Sequence, residues 1–564
     1  MKCGLLRRLG RGMPVLALLS LPIICASAQQ QPVIAGNSST REIAVTIKVT
    51  SNNPGGLHGL TKDDFKLAIG KSQRAILSAE ELTNRGTAND SLTFNNLASL
   101  GQNKRVVAIL LDEPNMVATA GTDVYREMAK SVSSLPKGEA NFMVLLVDRA
   151  GLHLAHEITD DPAVLGQWLS KRDNSGIGVL KNQAPSASTL DPSSLDNVLA
   201  TYFGGSSAAA DLLSRLRRTE SAASRGYMDR AVILKALTTV DVLQQTTQAL
   251  AGLPGQRSLV WITGQVPFSF HHSEQSKENL ALTAAFLNTM SALDREGIDL
   301  ALVETYLGSH GSSTSNFAVA LTAPDRYGVA QVMTGSSTSA TMTAGTMPIL
   351  NDFAKPIGSK VYWQSSMLGK AVLEIEKDNS AIYRVRFIAE PDDIVNGWVP
   401  AEITTNRAGT AIAPRSGHYV SSSSDPIETR IYDVRMAVRS PLQFTGLPLQ
   451  ASFGKPEPLV DGKRTIPFHV FVPAGYIQCD EKKDNLVLAD LAYHVVDANG
   501  KEILAKVDPQ KVNLKPEERA VFLAQGLNLN RSFDLPSGTY TVRFIVRDNL
   551  SGKIGSVFTP LKVE

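Results

Sequence analysis

Arg105-Val106-Val107-Ala108-Ile109-Leu110-Leu111-Asp112 is a run of six apolar residues closed by a carboxylate. A strand with one face in water alternates apolar and polar side chains. A run without a polar position fits a strand covered on both faces, as in a parallel sheet between two helical layers. Working outward, residues 124–135 are helical in spacing and residues 141–147 (NFMVLLV) form a second continuous apolar run. Asp160-Asp161-Pro162 reads as a helix start, with Asp161 as N-cap and Pro162 in the first helical position. Val232, Ala236, Val240, Leu243 and Leu250 mark one stripe of a long amphipathic helix, which Gly252-Leu253-Pro254-Gly255 stops. Residues 258–263 (SLVWIT) are a third buried strand, 280–293 a helix and 298–303 a fourth strand. This alternation predicts an α/β unit built on a parallel or mostly parallel sheet.

On both sides of this unit the period changes. Ile43, Val45, Ile47 and Val49 alternate with Ala44, Thr46, Lys48 and Thr50, and Asn52-Asn53-Pro54-Gly55-Gly56 turns the chain, so residues 42–80 read as a small β domain. Residues 382–389, 398–405 and 417–420 read as strands. From 430 to 564 a succession of strands is expected, with Asp497-Ala498-Asn499-Gly500 as a hairpin signal and Tyr540, Val542, Phe544 and Val546 on one face of a strand. That is the pattern of an antiparallel sandwich. Residues 173–224 and 307–347, rich in small and polar residues, lack sustained apolar periodicity and are expected to be inserted surface loops.

The amino terminus carries Lys2, Arg7, Arg8 and Arg11, then an apolar run from Val15 to Ile24, then Ala26-Ser27-Ala28. This order predicts a signal peptide over 1–28 and export to the periplasm, cell surface or medium. The 56 basic and 54 acidic residues of the whole chain become 52 and 54 without that segment, a balance of −2. Such a charge excludes a strongly basic nucleic-acid binder. Cys3 and Cys25 leave with the signal, so Cys479 stands alone and multi-cysteine metal sites are excluded. At 43% hydrophobic and 20% charged, the 564 residues are globular in composition. No later stretch reaches the roughly 18 uncharged apolar residues of a membrane helix.

Taken in order, several short motifs resemble those of the secreted von Willebrand factor type A-related proteins described from Acidobacteria. They are Gly59-Leu60-Thr61-Lys62-Asp63-Asp64-Phe65 with Gln73-Arg74-Ala75-Ile76, residues 106–112, Ile158-Thr159-Asp160-Asp161, and Leu253-Pro254-Gly255-Gln256-Arg257-Ser258-Leu259-Val260. Residues 349–353 with Gly358, and Arg415-Ser416-Gly417-His418-Tyr419, complete the set. The resemblance implies a multidomain α/β plus β chain: a central Rossmann-like A-type domain with a mostly parallel sheet, flanked by antiparallel, sandwich-like β modules. The expected layout is a signal peptide at 1–28, a small β domain at 29–100, and an A-like α/β domain at 101–365 with insertions at 173–224 and 307–347. A helix and β extension follows at 366–429, then a β-sandwich at 430–564. The resemblance implies no defined activity.

A-type domains often hold a divalent cation through Asp-x-Ser-x-Ser after the first strand, with a distant Thr and Asp. Oxygen ligands of this kind suit Mg²⁺. Here the matching positions are Asp112, Pro114 and Met116, and Thr263 stands before Gly264 where the distant carboxylate is expected. Pro114 has no side-chain oxygen, and a Met116 thioether suits a hard cation poorly. Asp112 and Asn115 are the candidate ligands should a cation such as Mg²⁺ bind. Glu113 and Asn115 are expected at the wrong alternation to share the Asp112 pocket, and Asp112 is expected to bond nearby backbone. No cofactor is expected.

His153 and His156, on an expected strand, should face opposite sides. His271-His272 falls in a polar loop. Cys479 has no recognisable base, and Trp168, Trp261, Trp363 and Trp398 are expected in cores or between domains. No nucleophile elbow, zinc-helix or phosphate-loop motif is present. The expectation is a non-enzymatic, exported interaction or adhesion protein with a degenerate metal site. Its partner would be another protein or a cell-envelope component, bound around 264–272 and 112–118. Metal-dependent adhesion through a rearranged site is the alternative, and a hydrolase with an unrecognised site in the insertions comes after it.

Overall fold

Arg105–Asp112 lies inside a six-stranded sheet. From edge to edge the strands are Lys360–Trp363, Asp299–Glu304, Arg257–Thr263, Arg105–Asp112, Ala140–Asp148 and Gly151–Thr159. The first five run parallel and Gly151–Thr159 is antiparallel. Numbered along the chain from Arg105–Asp112, the order across the sheet is 3-2-1-4-5-6, a doubly wound arrangement. The computed structural model describes residues 41–51, 57–82, 94–95, 105–116, 124–148, 151–172, 228–264, 289–305, 319–321, 332–334, 354, 357–377, 380–394, 398–420, 426–458 and 462–564.

The lack of alternation in the first strand now has its cause. Val106, Ala108 and Leu110 pack with Val240, Leu243, Leu250, Met290 and Leu293 from the helices Met228–Leu250 and 289–296. Val107, Ile109 and Leu111 pack on the other face with the helices Val124–Val132, Pro162–Lys171 and Leu368–Glu376. Each of these large side chains contributes roughly 1.5–3 kcal/mol by leaving water. Pro162–Lys171 starts as expected: the Asp161 carboxylate accepts from Ala163 N at 3.0 Å and pairs with Lys137 at 2.7 Å.

The β-rich segments on either side of this sheet share ladders. Arg41–Ser51 pairs antiparallel with Ser380–Ala389, and Phe65–Ile69 with Ala401–Thr405. Segments 29–100 and 366–429, read separately from the sequence, therefore contribute to one core of Ile43, Val45, Phe65, Tyr383, Val385 and Ile403. The expected strand over 398–405 is two, Trp398–Val399 and Ala401–Thr405, broken at Pro400.

Beyond 430, the expected succession of strands is interrupted by the helices Pro426–Arg439 and Pro516–Gln525. Ile431, Val434 and Val438 repeat at helical spacing and are all buried, a stripe that the strand reading passed over. The strands themselves form two antiparallel sheets. One contains Gln450–Phe453, Lys463–Val472 and Leu527–Pro536; the other is ordered Glu502–Asn513, Leu486–Asp497, Gly538–Asp548, Ile554–Val563. They share a core in which the Phe468 and Phe544 rings lie 4.8 Å apart. The expected hairpin is present: Asp497 accepts from Asn499 N and Lys501 N at 2.8 and 2.9 Å, and Gly500 supplies the positive φ.

Residues 1–28 and 173–224 lie outside the described residues. So does 307–347, apart from Val319–Leu321 and Val332–Thr334, which pair antiparallel. Among the described residues no helix is long and apolar enough to cross a membrane.

Candidate functional site

Ligands of doubly wound sheets bind beyond the carboxyl ends of the strands, where the strand order reverses. Here that point lies between Arg105–Asp112 and Arg257–Thr263. Past the strand ends, Gly264 N donates to Asn115 O and Thr305 N to Thr263 O, both at 3.0 Å, so the strands stay joined to their last described residues. Asp112, Asn115, Thr239 and Thr263 are all buried at this edge.

Two side-chain N–H groups hold the Asp112 carboxylate. Its Oδ2 accepts from Trp261 Nε1 at 3.0 Å and from Asn115 Nδ2 at 2.7 Å. Trp261 is on the neighbouring strand, and Leu110 is its register partner, two residues before Asp112. Asn115 also donates to Thr239 Oγ1 at 2.7 Å, tying the turn to the helix Met228–Leu250. The sequence reading put Asn115 at the wrong alternation to share this pocket. Glu113–Asn115 is instead one turn of 3₁₀ helix, in which residues three apart eclipse, so Asn115 returns over Asp112. Asn115 Oδ1 is buried and has no hydrogen-bond partner among the described residues. The side chain of Met116 joins the apolar core.

Glu113 turns away into a separate cluster. Its Oε1 accepts from Arg172 Nε at 2.9 Å and from the Tyr125 hydroxyl. The Arg172 guanidinium lies over the Tyr125 and Trp168 rings at 5.6 and 5.7 Å. Burial and the Glu113 carboxylate together push the Tyr125 phenol far above its usual range. The buried Glu113 carboxylate is matched by the half-buried Arg172 guanidinium, which makes the cluster structural.

His153 and His156 do not face opposite sides. The ladder shifts register so that His156 opposes Val144 and His153 opposes Leu146, which puts both imidazoles on one face. They still serve different neighbours: His153 lies 3.7 Å from Asp148, and His156 meets the edge of Trp168. Among the described residues, no group of three or more His, Cys, Asp or Glu is placed to hold a metal ion. Trp398 is buried against Tyr419 with ring centres 4.6 Å apart, and Trp363 packs against the sheet core. Cys479 is a free, half-buried thiol beside the sandwich core. His271-His272 lies outside the described residues.

No protein-family model matches the chain, and no curated protein is similar to it. Among solved structures it is similar to the pilus adhesin SpaC from Lactobacillus rhamnosus GG. One crystal form matches at 7% identity and a TM-score of 0.21, over 88% of this chain and 57% of the adhesin. The open conformation matches at 7% and 0.22, over 86% and 56%. The chain thus spans little more than half of the adhesin's length, and a likeness at these TM-scores carries no argument about fold or function.

Proposed function

We propose that the chain is an exported, non-catalytic binding protein. Its A-type α/β domain presents the carboxyl edge of the parallel sheet to a protein or cell-envelope partner, without a shared cation. The observation that carries this reading is the pair of N–H donors, Trp261 Nε1 and Asn115 Nδ2, on the Asp112 carboxylate. A carboxylate that already accepts two hydrogen bonds has less to offer a hydrated Mg²⁺, which surrenders its water reluctantly. The doubly wound strand order and the helices on both faces support the A-type assignment. The charged n-region, short apolar run and Ala26-Ser27-Ala28 support export.

One observation favours the alternative of metal-dependent adhesion. Asn115 Oδ1 is a buried oxygen without a partner among the described residues, close to a carboxylate. Capture of envelope proteins on the intact mature chain separates the two readings. A partner retained equally in EDTA and in Mg²⁺, and lost when residues 265–272 are replaced by a glycine-serine linker, supports cation-free binding at this edge. A partner released by EDTA supports the alternative, and one indifferent to the linker replacement places binding elsewhere.

A further inference from the structure

At the opposite edge of the parallel sheet, where Arg257 and Asp299 begin their strands, three parts of the chain meet. They are the helix 289–296, the strand Ser380–Ala389 and the turn 549–553 that joins Gly538–Asp548 to Ile554–Val563. They bring four cations together. Arg257 is 6% exposed; its Nη2 donates to Glu296 O at 2.5 Å, its Nη1 donates to Ala251 O, and its Nε has no hydrogen-bond partner among the described residues. Arg384 Nη2 donates to Arg295 O at 3.1 Å. Arg295 Nε reaches Glu296 Oε1 at 2.8 Å, and its side chain is 28% exposed, so the junction is open to solvent on that side. Lys553 lies within electrostatic reach of Arg295, Arg384, Glu296 and Asp548.

The charges do not balance. Among the described residues, two buried carboxylates, Glu296 and Asp548, face Arg257, Arg295, Arg384 and Lys553. A third, Glu80, is the ladder partner of Arg384 but is exposed, and the buried Asp433, within reach of Arg295, is held by Arg547. Four positive charges against two buried negative ones leave +2, of which the exposed, solvent-screened Glu80 offsets only a part. Asp548 is moreover engaged by Ser551 Oγ at 2.5 Å, Leu550 N at 3.0 Å and Gln478 N at 3.1 Å. The adjoining Asp433–Arg547 and Lys48–Asp299 pairs, at 2.8 and 2.6 Å, are neutral in themselves and supply no spare charge. The cations register the deficit. Burial, and the Arg384 charge, push Arg257 down to about 10 despite Glu296. Burial likewise lowers Arg384 and Lys553, with Arg295 repelling both. Buried cations without counter-charge are costly, and an anion that supplies it relieves that cost.

We propose that this three-part junction is a binding site for a tetrahedral oxyanion of the phosphate class, held by Arg295, Arg384 and Lys553 above the buried Arg257. Guanidinium forks match the oxygens of such an anion, and the ammonium adds a compact charge. The ligand would touch the α/β unit, the first β layer and the terminal sandwich at once, so it would bind only when the three are docked.

The test uses the intact mature chain titrated with inorganic phosphate at constant ionic strength, set with sodium chloride. The expected result is a saturable calorimetric heat for one site, and a melting temperature that climbs with the logarithm of phosphate concentration. Phosphate also stabilises proteins generally through its exclusion from their surfaces, an effect that a single substitution leaves in place. Lys553→Met is therefore the discriminating variant. Its melting temperature in chloride should equal or exceed the parent's, because a cation has left a cation-rich junction, and its specific phosphate response should be lost. Absence of saturable heat with the parent chain overturns the proposal. So does a full phosphate response in Lys553→Met.

Discussion

At the residue scale, Asp112 is the centre of the carboxyl edge. Its charge is met by an indole and a carboxamide, Trp261 Nε1 and Asn115 Nδ2. A hydrogen bond to a charged group contributes about 1.5–3 kcal/mol, and its loss leaves a buried carboxylate under-satisfied. Trp261→Phe keeps the aromatic ring and removes the N–H, so it should lower stability by about 1.5–3 kcal/mol in chemical denaturation. An unchanged unfolding midpoint would mean that the indole bond is idle. Asp112 was legible in the sequence because it closes an apolar strand. Its partners were not. Asn115 was misread because alternation was carried past the strand end into a 3₁₀ turn, where the period is three. Trp261 was read as packing alone, since the role of an indole N–H depends on what the neighbouring strand brings to it.

At the element scale, the four strands with continuous apolar runs and the Asp161-Pro162 helix start were legible, because their signals are local. The pairing of Arg41–Ser51 with Ser380–Ala389 was not, since more than 300 residues separate the partners and alternation fixes a strand's faces but not its neighbour. The bulges in Gly151–Thr159 were equally hidden, and they reversed the expected faces of the histidines. One element boundary carries more than a stop signal. Gly252 ends the helix Met228–Leu250, and its N donates to Thr445 Oγ1 at 2.8 Å. A Cβ there would sit 1.6 Å from Thr445 O. Thr445 Oγ1 also donates to Ala249 O at 2.8 Å, so this segment is fixed on the helix end. Gly252→Ala should therefore cost on the order of 1–3 kcal/mol, the scale of overpacking. A variant that melts with the parent would show that Thr445 yields freely.

At the scale of the whole molecule, the two edges of the parallel sheet differ in kind. The amino edge is where the β layers dock through charged groups, and the carboxyl edge carries Asp112. Docking includes Asp294, 4% exposed, whose carboxylate takes Arg415 Nη1 at 2.9 Å and His418 Nδ1 at 3.0 Å. Burial works against its charge, but Arg415 and His418 outweigh it and hold the carboxyl below its ordinary value. A depressed carboxylate contributes stability that is fully present above the unfolded value near about 3.9 and is lost as pH falls through the folded value. Asp294→Asn should cost on the order of 3 kcal/mol at neutral pH, and its deficit should narrow as pH falls below about 4. A constant deficit from neutral to acid would show that the carboxylate's charge does not contribute. The carboxyl edge is tested most directly by thermal melts of the chain from residue 29 onward in EDTA and in millimolar Mg²⁺ at matched ionic strength. A cation present at 100 times its dissociation constant would add about 2.7 kcal/mol. The melts should coincide, because Trp261 and Asn115 already occupy the Asp112 carboxylate. An upward shift in Mg²⁺ that disappears in Asp112→Ala would contradict cation-free binding and establish a rebuilt metal site at this edge.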